Sequence, residues 1–170
     1  MQEKVINAVE LFVENDSDLL KNSAHEQAIS HRIGVYLESL FESGKQNIDC
    51  EYNKHLSEPK KIDLYDLDSK LCKRCRCNSC KFVIKRNFSK IPERGFRPDV
   101  LVHKRDRDDY NLIAIEVKKD KECPFDAAKL KALTKPLDDG GEYGYELGVF
   151  VWFPENIPIY KWFAGGVEIK

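Results

Sequence analysis

Apolar side chains recur along the first part of the chain at helical intervals. Val5, Ile6, Val9, Phe12 and Val13 fall on one face of residues 2–14 and predict a helix there. Asn15-Asp16-Ser17-Asp18 breaks the pattern, and Leu19-Leu20 is expected to form a short anchoring turn. A stronger stripe of Ile29, Ile33, Tyr36, Leu37, Leu40 and Phe41 predicts a second helix over about 24–42. Ser23-Ala24-His25-Glu26 reads as a capping box at its start, and Gly44 as its stop. At Ile48 the period changes, and Ile48-Asp49-Cys50-Glu51-Tyr52 alternates as a half-buried strand does.

Arg97 to Lys119 reads as two strands joined by a charged turn around Asp106–Asp109. Pro124 suits the first turn of a helix over about 124–135, with Phe125, Ala128, Leu130, Ala132 and Leu133 as its apolar positions. Pro136 and Gly140-Gly141 end it. Tyr145 to Phe153 is a continuous apolar run and predicts a buried strand. Ile157 to Phe163 is expected to add an edge strand, because its prolines exclude a central position. Between Lys54 and Phe96 the chain is mostly polar apart from a β-like run at Lys81-Phe82-Val83-Ile84, and it reads as an insertion rather than core. The core order is then helix, strand, strand, strand, helix, strand. A meander followed by a strand–helix–strand crossover predicts an α/β fold, a mixed β-sheet flanked by helices.

The length, 170 residues, suits one domain over 1–170 with the 54–96 insertion inside it, and a hydrophobic fraction of 42% suffices for its core. The longest apolar run, Leu147 to Phe153, is far too short to span a bilayer, and the amphipathic N-terminus has no secretory pattern. A cytoplasmic chain is expected, with no membrane partner and with its six cysteines as reduced thiols or metal ligands. The formal net charge of -1 does not by itself indicate nucleic acid. Its distribution changes that picture: Lys70 to Arg97 holds ten basic residues against one acid, Glu93. A basic block in an otherwise acidic chain is either a solvated face or the footprint of an anionic partner.

Charged side chains inside a sheet need a partner or a metal. Glu116 and Lys118 are two apart on one predicted strand and so share a face, while Val117 points into the core with Ile113 and Ile115. Asp99 heads the neighbouring strand, close to Glu116 if the two strands pair through the short turn. Two carboxylates held together repel unless they share a proton or a cation. Oxygen ligands of this kind suit Mg²⁺ or Mn²⁺, and the Val117 carbonyl would be a further ligand. Lys118 would then stand beside the metal and the scissile phosphate. The alternative is an exposed strand end with Glu116 paired to a neighbouring lysine.

Pro98-Asp99 followed by Glu116-Val117-Lys118, within the predicted αβββαβ order, resembles the P-D…(D/E)-x-K signature of the PD-(D/E)XK, or restriction-endonuclease-like, nuclease superfamily. The resemblance covers about residues 23–153 without the insertion. It implies a restriction-endonuclease-like core, with Asp99 and Glu116 as metal ligands and Lys118 as the catalytic lysine. Many members also use a glutamate on the first core helix, and Glu26 matches that position, although a capping role explains it equally. Arg32 and Lys129 are candidate phosphate contacts, with solvated surface the simpler expectation for each. The four histidines form no ligand spacing, and His103 is a candidate for lining the cleft.

Cys72, Cys75, Cys77 and Cys80 place four thiols within nine residues among polar neighbours. Paired C-x-x-C turns are the usual grip for structural Zn²⁺, although ordinary zinc modules separate the pairs further. An iron–sulfur cluster and free thiols are the alternatives. Cys50 and Cys123 are expected to be core cysteines. A stapled insertion carrying Lys73, Arg74, Arg76, Lys85, Arg86, Arg94 and Arg97 would hold a nucleic-acid backbone without reading its sequence.

Together these features lead to the expectation of a Mg²⁺-dependent endonuclease acting on DNA. Low sequence specificity is expected, or a homodimer mate or partner subunit that supplies it. The alternatives are a non-cleaving nucleic-acid-binding or assembly subunit with a zinc-stapled basic loop, and a zinc-stapled protein adaptor.

Overall fold

A computed structural model describes residues 1–22, 24–56, 58–60 and 97–170. The expected Cys72, Cys75, Cys77 and Cys80 metal site lies outside these residues. So do the Lys81–Ile84 run and the candidate contacts Lys73, Arg74, Arg76, Lys85, Arg86 and Arg94.

The helical stripes form where the sequence places them. Helix α1, Gln2–Asp16, buries Val5, Ala8, Val9 and Phe12, a spacing that puts all four on one face. A short helix α2, Asp18–Lys21, sets Leu20 into the core. Helix α3, Glu26–Leu40, buries Ile29, Ile33 and Leu37 along with the small residues Ser30 and Gly34. It begins two residues later than the capping-box reading required. His25 occupies the cap position without a side-chain hydrogen bond to the helix, so Glu26 is the first helical residue rather than the third. Its carboxylate is thereby freed from the capping role.

Strand β1, Asn47–Cys50, is followed by the two-residue pair β2, Lys54–His55, and β3, Glu58–Pro59. The chain returns as β4, Val100–His103, and turns into β5, Ile113–Lys118. Helix α4, Pro124–Thr134, crosses to β6, Leu147–Trp152. Strands β7, Ile159–Ala164, and β8, Val167–Ile169, complete the described chain. The six-stranded sheet runs β1-β4-β5-β6-β7-β8. Only β5 and β6 are parallel, as a crossover helix requires; the other neighbours are antiparallel.

The expected edge position of the 157–163 strand is corrected. Strand β7 lies between β6 and β8, because its proline, Pro158, precedes the strand and removes no hydrogen bond from it. Gly165 and Gly166, both with positive φ, make the tight turn that returns β8.

Alternation along the strands divides the core between the two faces. Val100, Val102, Ile113, Ile115, Val117, Val149 and Val151 pack against α1 and α3. Leu101, Ala114, Phe150 and Phe163 pack with Leu130 and Leu133 of α4. Gly148 permits that second packing, since a Cβ there would lie 3.0 Å from Thr134 Cγ2 and 3.4 Å from Leu130 Cβ. Cys123 is buried as expected, but Cys50 is exposed on the edge strand, its thiol turned over Gly34.

Candidate metal and catalytic centre

Strands β4 and β5 pair antiparallel, with Val100 opposite Ile115 and Leu101 opposite Ala114. Continued by one residue, this register sets Asp99 opposite Glu116. Opposed residues of an antiparallel pair present their side chains on the same face. Lys118, two residues along, shares that face, while Val117 is buried on the other. The Val117 N–H donates to Asp99 Oδ2 at 2.7 Å, so the backbone of β5 fixes the Asp99 carboxylate beside its own acid.

Helix α4 lies across this face and contributes Asp126 and Lys129, one turn apart. Lys129 Nζ is 2.7 Å from Glu116 Oε2 and 2.8 Å from Asp126 Oδ1. Lys118 Nζ is 3.4 Å from Asp126 Oδ2 and 2.9 Å from Glu26 Oε2. The result is an alternating chain of charges: Glu26, Lys118, Asp126, Lys129, Glu116. The chain is withdrawn from water toward its Glu116 end, with Glu116 and Asp126 each 1% exposed and Lys129 7% exposed. Ions so buried persist only when paired.

The pairing is incomplete at two oxygens. Glu116 Oε1 and Asp126 Oδ2 are buried and accept no hydrogen bond, although Asp126 Oδ2 still faces Lys118. Burial pushes Glu116 well above the usual carboxylate range; Lys129 opposes this, and Asp99 and Asp126 add to it. Burial likewise pushes Asp99 up to about 6, against the pull of Lys129 and Lys118. For Asp126 burial also acts upward, but Lys129 and Lys118 outweigh it and hold the group below its ordinary value. Burial disfavours both ammonium groups, yet Asp126 and the neighbouring acids keep Lys118 and Lys129 above the ordinary lysine value.

Asp99 and Glu26 open onto a cleft of about 420 Å³, lined also by Ala24, His25, Gln27, Glu51 and Lys119. Glu51 has a positive φ of 51°, a conformation disfavoured for a side-chain-bearing residue. It is held there by its N–H to Asp99 O at 3.1 Å and by Gln27 Nε2, which donates to Glu51 Oε1 at 2.6 Å. Arg97 is exposed at the same rim, 3.9 Å from Glu51.

The chain matches no protein-family model, no curated protein and no solved structure.

A divalent cation can be tested against these groups. Two carboxylates stand opposite each other where the β4–β5 register is continued by one residue, one with an unpartnered buried oxygen, and burial disfavours the charge of both. That is the environment a hard cation relieves. Among the described residues no group of three or more His, Cys, Asp or Glu side chains has the arrangement of a metal cage. The donor set is thus two acids. It suits Mg²⁺, which takes one or two carboxylates and fills its octahedron with waters and phosphate oxygens. The Val117 carbonyl, already accepting from Lys118 Nζ at 3.2 Å, borders the same space.

The structure therefore brings together Glu26, Asp99, Glu116 and Lys118, which are scattered over 93 residues of sequence. Arg32 keeps the surface position that is the simpler expectation, partly exposed and bound to Asp16 Oδ2 at 2.8 Å. Two expectations are corrected. Lys129 is not on solvated surface but buried between two acids. His103 does not line the cleft; it is 3% exposed and bound to Asp49 Oδ2 at 2.9 Å. Asp126 was not foreseen. Its signal was present, an Asp-x-x-Lys pair on the helix that follows the lysine strand, but such pairs are common as solvated helix contacts.

Proposed function

We propose that the chain is a Mg²⁺-dependent nuclease of the PD-(D/E)XK type that hydrolyses phosphodiester bonds in DNA. One observation carries this reading. Asp99 and Glu116 stand opposite each other across β4 and β5, with Lys118 on the same face and Glu26 bound to its ammonium at the rim of an open cleft. Apart from the small β2–β3 pair, the order α3-β1-β4-β5-α4-β6 and the mixed sheet are compatible with a restriction-endonuclease-like core.

In this reading Asp99 and Glu116 hold Mg²⁺ or Mn²⁺, with the Val117 carbonyl as a further ligand. An ion held there would supply a coordinated water of lowered pKa and a counter-charge for the phosphodiester. Lys118, held by Glu26 and Asp126, directs its ammonium toward the attacking water and the charge that develops on phosphorus. The basic stretch ending at Arg97 would supply sequence-independent contacts to the nucleic-acid backbone.

The test is cleavage of supercoiled plasmid and oligonucleotides with Mg²⁺ by the wild type, Glu116→Gln and Lys118→Ala. Loss of cleavage by about a hundredfold or more in both variants is expected. Equal cleavage by all three proteins would discard the reading.

The non-cleaving alternative, a nucleic-acid-binding or assembly subunit, is favoured by the self-neutralisation of the charge chain, in which Lys129 already meets Glu116. A calorimetric Mg²⁺ titration separates the two. A nuclease gives binding that disappears in Asp99→Asn, and a pure binder gives none that depends on Asp99.

A further inference from the structure

Lys129 has a place in the site that the proposed chemistry does not use. Its Nζ lies 2.7 Å from Glu116 Oε2, on one of the two carboxylates proposed to hold the divalent ion. The ammonium cannot easily retreat. It is 7% exposed, its stem comes from a helix docked on the sheet through Leu130 and Leu133, and its charge sits 5.6 Å from the Phe125 ring centre. Among the described residues the other anion in contact with it is Asp126, at 2.8 Å, and Asp126 is shared with Lys118. A metal ion bound to a Glu116 oxygen at the usual 2.0–2.1 Å would therefore stand within a few ångströms of a buried positive charge in a weakly screening environment. The two cations contend for one carboxylate.

We propose that Lys129 is an internal competitor of the divalent ion, a positioning residue that lowers the intrinsic metal affinity of the Asp99–Glu116 pair. This rests on the nuclease reading, because it takes that pair as the metal site. Lys118 provides the contrast. It has the same charge and lies 3.4 Å from Asp126, but it contacts Glu26, Asp126 and the Val117 carbonyl and touches neither Asp99 nor Glu116. Removing Lys129 frees a carboxylate oxygen, Glu116 Oε2, whereas removing Lys118 frees only the neutral Val117 carbonyl and lessens the surrounding positive charge. Partners that orient metal ligands commonly change metal affinity ten- to a hundredfold, and that sets the scale expected here.

The experiment is Mn²⁺ binding to the full chain, followed by calorimetry and by the loss of free Mn²⁺ resonance, with no nucleic acid present. The proteins are wild type, Lys129→Met, Lys129→Gln, Lys118→Met and Asp99→Asn. Lys129→Gln retains N–H donors for Glu116 and Asp126, which guards against loss of the fold in Lys129→Met. Thermal melting verifies each variant. The expected result is Mn²⁺ binding at least about tenfold tighter in the folded Lys129 variants and changed less than about threefold in Lys118→Met. Unchanged or weaker binding in the Lys129 variants overturns the inference while leaving the nuclease reading intact, and so does equal tightening by Lys118→Met. If none of the proteins binds Mn²⁺, or if Asp99→Asn binds it as well as the wild type, the metal site itself is wrong and both proposals fall.

Discussion

Burial holds the Asp99 carboxyl near a pKa of about 6, above its ordinary value of 3.8. A carboxyl that binds its proton more tightly when folded stabilises the fold at low pH. It loses that contribution as pH rises from about 4 to about 6. Above that range the folded chain carries an ionised acid in a place that disfavours it. Asp99→Asn is therefore expected to raise stability at pH 7.5 by about 1–3 kcal/mol, and to change it little near pH 4. Urea unfolding at the two pH values measures the difference. The same variant should lose Mg²⁺ binding and cleavage. A group whose removal stabilises the fold and abolishes activity is one retained for chemistry. At this scale Asp99, Glu116 and Lys118 were legible as charges misplaced on apolar strands. Lys129 was not, because a lysine among helical polar positions looks like any solvated lysine until the helix is docked.

The elements were legible where a single period runs unbroken. Both long helices, the β4–β5 pair, α4 and β6 appear within a few residues of the expected bounds, since burial of one face enforces the same period in sequence and structure. The exceptions are local. Helix α3 starts at Glu26 because His25 is extended, with ψ 144°, and this one displacement turns Glu26 from a capping residue into a partner of Lys118. The docking of α4 depends on Gly148 in β6, where a methyl group would meet Thr134, Phe163 and Leu130 at 3.0 to 3.4 Å. Gly148→Ala is expected to cost about 1–3 kcal/mol, read as a lowered melting temperature. It should also reduce cleavage by more than the stability loss accounts for, because displacing α4 moves Asp126 and Lys129 against Glu116. A fully stable, fully active Gly148→Ala would show that α4 has room to shift without moving the site.

For the whole molecule, net charge and charge placement point in different directions. The chain is close to neutral overall, with a formal charge of -1, yet Arg97, the last residue of the basic stretch, is exposed 3.9 Å from Glu51 at the cleft. Contacts from such a stretch are electrostatic and independent of sequence, so duplex DNA should bind with an affinity that falls steeply with salt. Arg97→Ala is expected to weaken binding of unrelated duplexes alike and to reduce the slope of log affinity against log salt by about one. Fluorescence anisotropy over a salt series measures both, and discrimination between duplex sequences would argue against a backbone clamp. Among the described residues, no helix is long and apolar enough to cross a membrane.

The amino-acid sequence alone determined the alternation of helical and strand periods, the mixed sheet between helices, and the candidacy of Asp99, Glu116 and Lys118. Those features are local: a period of two or 3.6, and a charge where the period demands an apolar side chain. Tertiary structure alone decided that Asp99 faces Glu116 in register, that Glu26 reaches Lys118 from another layer, and that Lys129 lies buried between two acids. These are contacts between elements distant in sequence. Their energies depend on burial and on which opposite charge comes within about 3 Å, and neither is encoded in the spacing of residues along a single element.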